Sequence, residues 1–201
     1  MEFSLLQKRR LPTYLLAFAF LVVLFPQQEV AAAKLTASQA KIQNISDRMQ
    51  KALKGKPSSS RVYGIVNRII VPYVNFNMAA KRALGKTYWN KASSSQRSRF
   101  TAQFKKMMVR TYGSAFASYN SWTMKHLGTK SSGKSVAVKT RVTPSGSGAV
   151  SVNYLMYGGK VYDIYISGVS LAKSHSASFQ GIVRSSGMEG LIKRLKVMNS
   201  K

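Results

Sequence analysis

Two hydrophobic periods divide the chain. Between residues 35 and 119 apolar side chains return every three or four positions, the spacing of one helical face. Between residues 136 and 166 they return every second position, the spacing of one face of a strand. Leu35, Ile42, Ile45, Met49 and Leu53 predict a helix over 35–54. "GKPSSS" then stops it, since Gly, Pro and Ser favour turns. The stretch from Arg61 to Gly85 predicts two short helices parted near Pro72, with Gly85 as a helix end. Ser93 or Ser94, followed by Gln96, forms a capping-box pattern for the next helix. That helix is the longest, Arg97 to Tyr119. It carries Phe100, Phe104, Met107, Met108, Thr111, Tyr112, Ala115, Phe116 and Tyr119 on one broad face. Lys105, Lys106 and Arg110 fall outside it as a solvated basic face.

The period changes after "LGTKSSGK", which reads as a loop over 128–135, as do residues 57–60. Val136, Val138, Thr140 and Val142 alternate with polar neighbours, "PSGSG" is a turn, and Val150, Val152, Tyr154 and Met156 alternate again. Gly158–Gly159 is a tight hairpin signal. Tyr162, Ile164 and Ile166 alternate with Val161, Asp163 and Tyr165, so this strand is apolar on both faces and is expected to be central. The C-terminal "SFQGIVRSSGMEGLIKRLKVMNSK" predicts one or two short helices. Helices followed by an antiparallel meander make an α+β domain with helices covering one sheet face. There is no internal repeat and no sign of a second domain.

The first residues change the picture from fold to compartment. Lys8, Arg9 and Arg10 precede the uncharged run "LPTYLLAFAFLVVLF", and small residues follow at Ala31 and Ala33. A basic head, an apolar centre and a small-residue site describe a secretory signal peptide. The expected cleavage follows Ala33, leaving residues 34–201 as one domain. The apolar run is short for an uncleaved membrane anchor. The whole chain has 32 Lys and Arg against 5 Asp and Glu, net +27. Removing residues 1–33 leaves 32 − 3 = 29 basic and 5 − 2 = 3 acidic residues, net +26. Such charge ordinarily points to nucleic acid, but export argues against it. Lipid headgroups, envelope polymers and acidic protein surfaces remain as anionic partners. The chain has no Cys, so it folds by core burial without disulfides.

Catalytic material is scarce. Beyond residue 33 the acids are Asp47, Asp163 and Glu189, and the only His are His126 and His175. None stand at metal-ligand spacing, and paired-carboxylate chemistry has no matching pair. Ser170 or Ser174 with His175 and Asp163 could be drawn as a hydrolase set. No nucleophile-elbow pattern frames either serine. The simpler reading makes His175 a loop or helix-start residue and Asp163 a structural carboxylate. The aromatic and Met-rich helix face is, on pattern alone, either core or the wall of an apolar site; Met suits both because it fills irregular shapes.

Taken in order, several landmarks carry a family resemblance. They are Phe76, Met78–Ala79, Leu84–Gly85, Trp89, Gln96–Arg97 with Phe100, Phe104, Thr111–Tyr112, Tyr119, Asp163 and Gly168–Val169–Ser170–Leu171. From about Ile65 to Leu195 the chain resembles the MlaC family, the periplasmic phospholipid-binding proteins also called toluene-tolerance proteins. It departs from the family pattern at Asn75 and Asn77, where acids usually flank the Phe, at Gly159, where a Trp is usual, and at Ser167, usually an acid. The resemblance implies helices packed on a curved antiparallel sheet around an apolar lipid pocket, with short C-terminal helices. It implies a monomeric carrier that holds phospholipid as cargo and makes transient membrane contact. Such a carrier passes lipid between an outer-membrane lipoprotein complex and an inner-membrane ABC transporter with an MCE-domain subunit. No catalysis, metal or organic cofactor is implied.

With the apolar faces above, it assigns lipid contact to Phe76, Phe100, Phe104, Met107, Met108 and Phe116 on helices. On the sheet side it assigns Val138, Val150, Val152, Tyr154, Met156, Ile164, Ile166 and Val169. Thr111 and Tyr112 are expected to fix the long helix against its neighbours. Two rival readings keep the same residues: a carrier for another apolar lipid such as a hopanoid, or a basic interaction protein of the envelope with a filled core.

Overall fold

The computed structural model describes residues 35–55, 57–113, 116 and 121–200. The signal peptide expected over 1–33 lies outside them. Helix α1 (Ala37–Leu53) begins with a capping box in which the Thr36 hydroxyl accepts from the Gln39 N–H and the Gln39 side chain accepts from the Thr36 N–H. Helix α2 (Ser59–Ile69) follows, so the break reads shorter than the expected loop over 57–60. A 3-10 turn over Val71–Tyr73 contains Pro72 and leads to α3 (Phe76–Leu84), capped by the Asn75 side chain. Gly85 joins α3 to α4 (Lys86–Lys91) at φ +85°. That left-handed φ favours glycine there.

Helix α5 (Ser94–Gly113) starts at Ser93, whose hydroxyl accepts from the Gln96 N–H at 3.1 Å while Gln96 accepts from the Ser93 N–H at 2.9 Å. The expected helix was longer: α5 ends at Gly113, Phe116 lies in a 3-10 turn, and Tyr119 is outside the described residues.

The sheet has five antiparallel strands in the order β1-β2-β3-β4-β5, with ranges Trp122–Ser132, Ser135–Pro144, Val150–Tyr157, Lys160–Ile166 and Val169–Ser170. The segment 128–135, expected to be a loop, is mostly the end of β1, with only Gly133 and Lys134 left to turn into β2. β4 is not central. It is flanked on its outer edge by two-residue β5 and by Val74, which bridges to Val161. Its apolar character on both faces has another cause. Ile164 and Ile166 pair with Tyr154 and Val152 over the helices, while Asp163 and Tyr165 are covered by Arg82 from α3. The register slips at Leu127 in β1 and at Tyr162 in β4. Such extra residues bend and twist a strand.

A further 3-10 turn, Lys173–His175, opens α6 (Ser176–Ser200), which breaks at Gly187, φ +66°. The two halves correspond to the short C-terminal helices expected. The fold is therefore α+β, helices against an open antiparallel sheet. Among the described residues no helix is long and apolar enough to cross a membrane.

Candidate functional site

Three buried clusters surround one empty space. Helices α3, α5 and α6 pack Phe100, Phe104, Met107, Phe179, Leu191 and Leu195 together. The three Phe rings form a closed group: Phe100 meets Phe179 edge-on at 5.6 Å and stacks at 5.9 Å on Phe104. Helices α1 and α2 pack Met49, Leu53, Val62, Ile65, Val66 and Ile69, joined by Val109 of α5. Ile42 of α1 sits on the sheet over Val138, Met156 and Val161. Between these clusters a cavity of about 370 Å³ remains, walled by α1, α2, α3, α5 and the inward face of β1–β4. Its size falls within the usual range for small-molecule sites.

The wall is apolar chiefly through its Ile, Val, Met and Phe side chains, and several of its polar groups are paired within the protein. The Trp122 ring N–H donates to Ser46 Oγ at 2.8 Å, and both residues line the cavity. Tyr154 is half-buried among apolar side chains, and desolvation pushes its phenol pKa up to about 12, with the Thr140 hydrogen bond working the other way. Thr140 itself donates to the Val152 carbonyl at 2.8 Å. Asp163, at the edge, accepts from Arg82, from the Ser170 hydroxyl at 2.6 Å and from the Ala172 N–H at 3.2 Å. A guest therefore meets hydrocarbon and ring surface with few free polar partners, which suits a chain of methylenes.

Nine of the fourteen residues assigned to lipid contact line this space: Phe76, Phe104, Met108, Phe116, Val150, Val152, Tyr154, Ile164 and Ile166. Five do not. Phe100 and Met107 point to α6, which fills the space beside them with Phe179 and Leu191. Val138 and Met156 lie under Ile42, where α1 touches the sheet. Val169 is 59% exposed on β5. Tyr112, expected to fix the helix, also lines the cavity; its hydroxyl bonds His175 Nε2 at 3.2 Å. Of the three cations expected to be solvated, Lys105 lies over the Phe76 ring at 5.8 Å and Arg110 donates to the Asn199 carbonyl.

Sequence reasoning missed the α1 wall (Ile42, Ile45, Met49), although their common face was visible, because the long helix drew the assignment. It also missed Trp122, Met124 and Val142. The first two belong to β1, where no strand was expected. Val142 ended a recognised alternation and could have been found from it.

Ser170, Ser174, His175 and Asp163 do not make a relay. Ser170 donates directly to Asp163, and His175 bonds Tyr112 and stacks on Phe179 at 5.6 Å. Burial lowers the His175 pKa. Asp163 is the structural carboxylate and His175 the helix-start residue of the simpler reading. Among the described residues no three His, Asp or Glu side chains gather as a metal site needs.

Known proteins share this architecture. A phospholipid-binding protein from Ralstonia solanacearum, solved in complex with a phospholipid, superposes with a TM-score of 0.72 at 26% identity. The match covers 82% of this chain and 98% of that one. The intermembrane phospholipid transport system binding protein MlaC of Haemophilus influenzae is 26% identical over 156 residues, 73% of this chain and 72% of its own length. A toluene tolerance protein of Pseudomonas putida is 27% identical over 137 residues, 66% of this chain and 64% of that protein. The MlaC protein family model matches residues 39–197, which span every helix and strand that walls the cavity. The chain belongs to the MlaC family.

Proposed function

We propose that this protein is a periplasmic carrier of phospholipid, and that the cavity between α5, α1 and the sheet holds the acyl chains. The observation that carries the reading is the cavity's wall: about 370 Å³ bounded mainly by Met, Phe, Val and Ile, with Trp122, Ser46 and Asp163 paired within the protein. A lipid lifted from a bilayer loses about 0.8 kcal/mol for each methylene exposed to water. Only a dry, extended apolar surface offsets that cost. Met108 and Met49 at the wall can adjust to chains of different length. The phospholipid named for the Ralstonia and Haemophilus relatives supports the same class of cargo.

In this reading residues 1–33 are a cleaved export signal and residues 34–201 a single lipid-binding domain acting as a monomer. It takes lipid between an outer-membrane lipoprotein complex and an MCE-type ABC transporter of the inner membrane. It performs no chemistry on its cargo and uses no cofactor. The test is the organic extract of the exported protein as purified. Diacyl phospholipid at near-stoichiometric yield is expected. A hopanoid in the extract would replace the cargo, and an extract without lipid from folded protein would contradict the reading.

A further inference from the structure

Exposure along the cavity wall is uneven. Ala79, Phe104 and Val161 are buried, and most of the wall is half-buried, from Tyr73 and Val74 at one end to Trp122, Pro144 and Val150 at the other. Ile166 alone among the described lining residues is exposed. That exposed residue gives the cavity an accessible edge at the end of the sheet where β4 turns into β5. That turn has two central residues, Ser167 at φ +48° and Gly168 at φ +84°. Both are left-handed, the form that holds a tight hairpin in line with the strand twist. It presents Ile166 and Val169, a directly paired couple, at 39% and 59% exposure. Two β-branched apolar side chains are thus held out in water, one of them on the lip of an apolar cavity.

The same end of the sheet is positive. The Ser167 N–H donates to the Ser151 carbonyl; Ser151 pairs with Arg141, and Arg141 with Lys125. This row crosses the mouth end of the sheet over roughly 15 Å. Arg141 and Lys125 are exposed and stand directly opposite each other on the face away from the cavity. Like charges in that relation weaken a sheet, and among the described residues the ion pairs are Arg82–Asp163 and Arg99–Glu189, neither involving Arg141 or Lys125. β1, β2 and β3 contain no Asp or Glu at all. Lys173, exposed, follows the tip on its other side.

We infer that the cavity mouth is a docking end for an anionic bilayer surface. The Ile166–Val169 tip enters the headgroup layer, and Arg141, Lys125 and Lys173 meet lipid phosphates. An apolar edge flanked by cations is the arrangement that binds in a membrane interface. The continuity of the tip with the cavity favours a bilayer over an acidic protein, because the exposed lining residue Ile166 belongs to both. The inference rests on the lipid-carrier reading for its purpose, but not for its test.

The test is flotation of the mature chain with phosphatidylglycerol-containing vesicles and with pure phosphatidylcholine vesicles at low salt. Its lipid content is assayed in parallel by organic extraction. Val169→Asp, which leaves the cavity lining intact, is expected to weaken binding to the anionic vesicles at least about tenfold. Its purified lipid content should be unchanged. Lys125→Glu and Arg141→Glu should each weaken binding about fivefold. Val169→Ser, with its fold checked by circular dichroism, should fall between wild type and Val169→Asp. Absence of wild-type binding to anionic vesicles, or a Val169→Asp variant that binds as well as wild type, would overturn the docking inference. Vesicle binding that depends on Val169 in a protein that purifies without lipid would keep the docking surface and reject the cargo reading.

Discussion

The two sides of α5 are built from the same kinds of residue and end in opposite states. Toward α6, Phe100, Phe104 and Met107 meet Phe179, Leu191 and Leu195, and the space is filled. Toward α1 and the sheet, Phe104, Met108, Val109 and Tyr112 face a cavity. The difference does not lie in the helix. It lies in what is set opposite. α6 is a ridged helix that interdigitates with α5. The sheet is a broad surface with extra residues at Leu127 and Tyr162, and α1 packs on it through Ile42 beside the cavity. Burying aromatic surface contributes stability on one side; leaving a similar surface unfilled prepares the other for a guest.

The largest separation between the two sides should come from Phe100→Ala. It opens a hole in the filled side and should cost about 3–5 kcal/mol in denaturant unfolding, while the folded fraction still carries lipid. If instead it strips lipid with little loss of stability, the filled side is not what the packing says.

Asp163→Ala comes next. The carboxylate is fully buried and ties Arg82 of α3, Ser170 and the Ala172 N–H to the edge of the sheet. Removing one partner of such a pair should cost about 3 kcal/mol, read as a lower unfolding midpoint, since α3 then loses its hold on β4.

Met108→Asp should reverse the pattern of Phe100→Ala. A carboxylate on the cavity wall should lower stability by only about 1 kcal/mol and reduce lipid recovery at least tenfold, roughly the cost of desolvating a polar group. Equal lipid recovery from this variant would remove Met108 from the wall.

The smallest effect is on pH dependence. Burial lowers the pKa of His126 and of His175 from the ordinary value of 6.5. His126 bonds Gln43 through Nε2 at 3.0 Å, and its buried Nδ1 has no partner among the described residues. Below that ordinary value the unfolded chain takes up protons before the folded one, so stability falls as pH drops below 6.5 and levels off once the folded imidazoles also titrate. The thermal midpoint should therefore decline from about pH 7.5 to pH 5. The decline should be smaller in a His126→Gln, His175→Gln double variant.

The helical half was largely legible because its signals are local. The Ser93–Gln96 pair stops and starts a helix by bonds within four residues, and Gly85 ends α3 through its own φ. β2, β3 and β4 were legible where alternation is strict. β1 was not, for two physical reasons. It is an edge strand whose outward positions carry Lys125 and Lys130, and the bulge at Leu127 shifts the phase of its alternation, so Trp122, Met124 and His126 cannot be continued through Thr129 and Ser131. The division of α5 was illegible for a deeper reason. Phe100 and Met108 belong to one broad apolar stripe, and only the arrival of α6, some eighty residues later in the chain, decides which part is covered. A stripe in sequence states that a face will be hidden from water, not whether protein or lipid hides it.

The central claim is that the unfilled side of α5 holds acyl chains, and native mass spectrometry of the exported protein tests it most directly. The account predicts a wild-type mass increased by that of a diacyl phospholipid, kept in Phe100→Ala and absent in Met108→Asp. A wild-type protein at its bare mass, or a Met108→Asp variant that retains the same adduct, would contradict it.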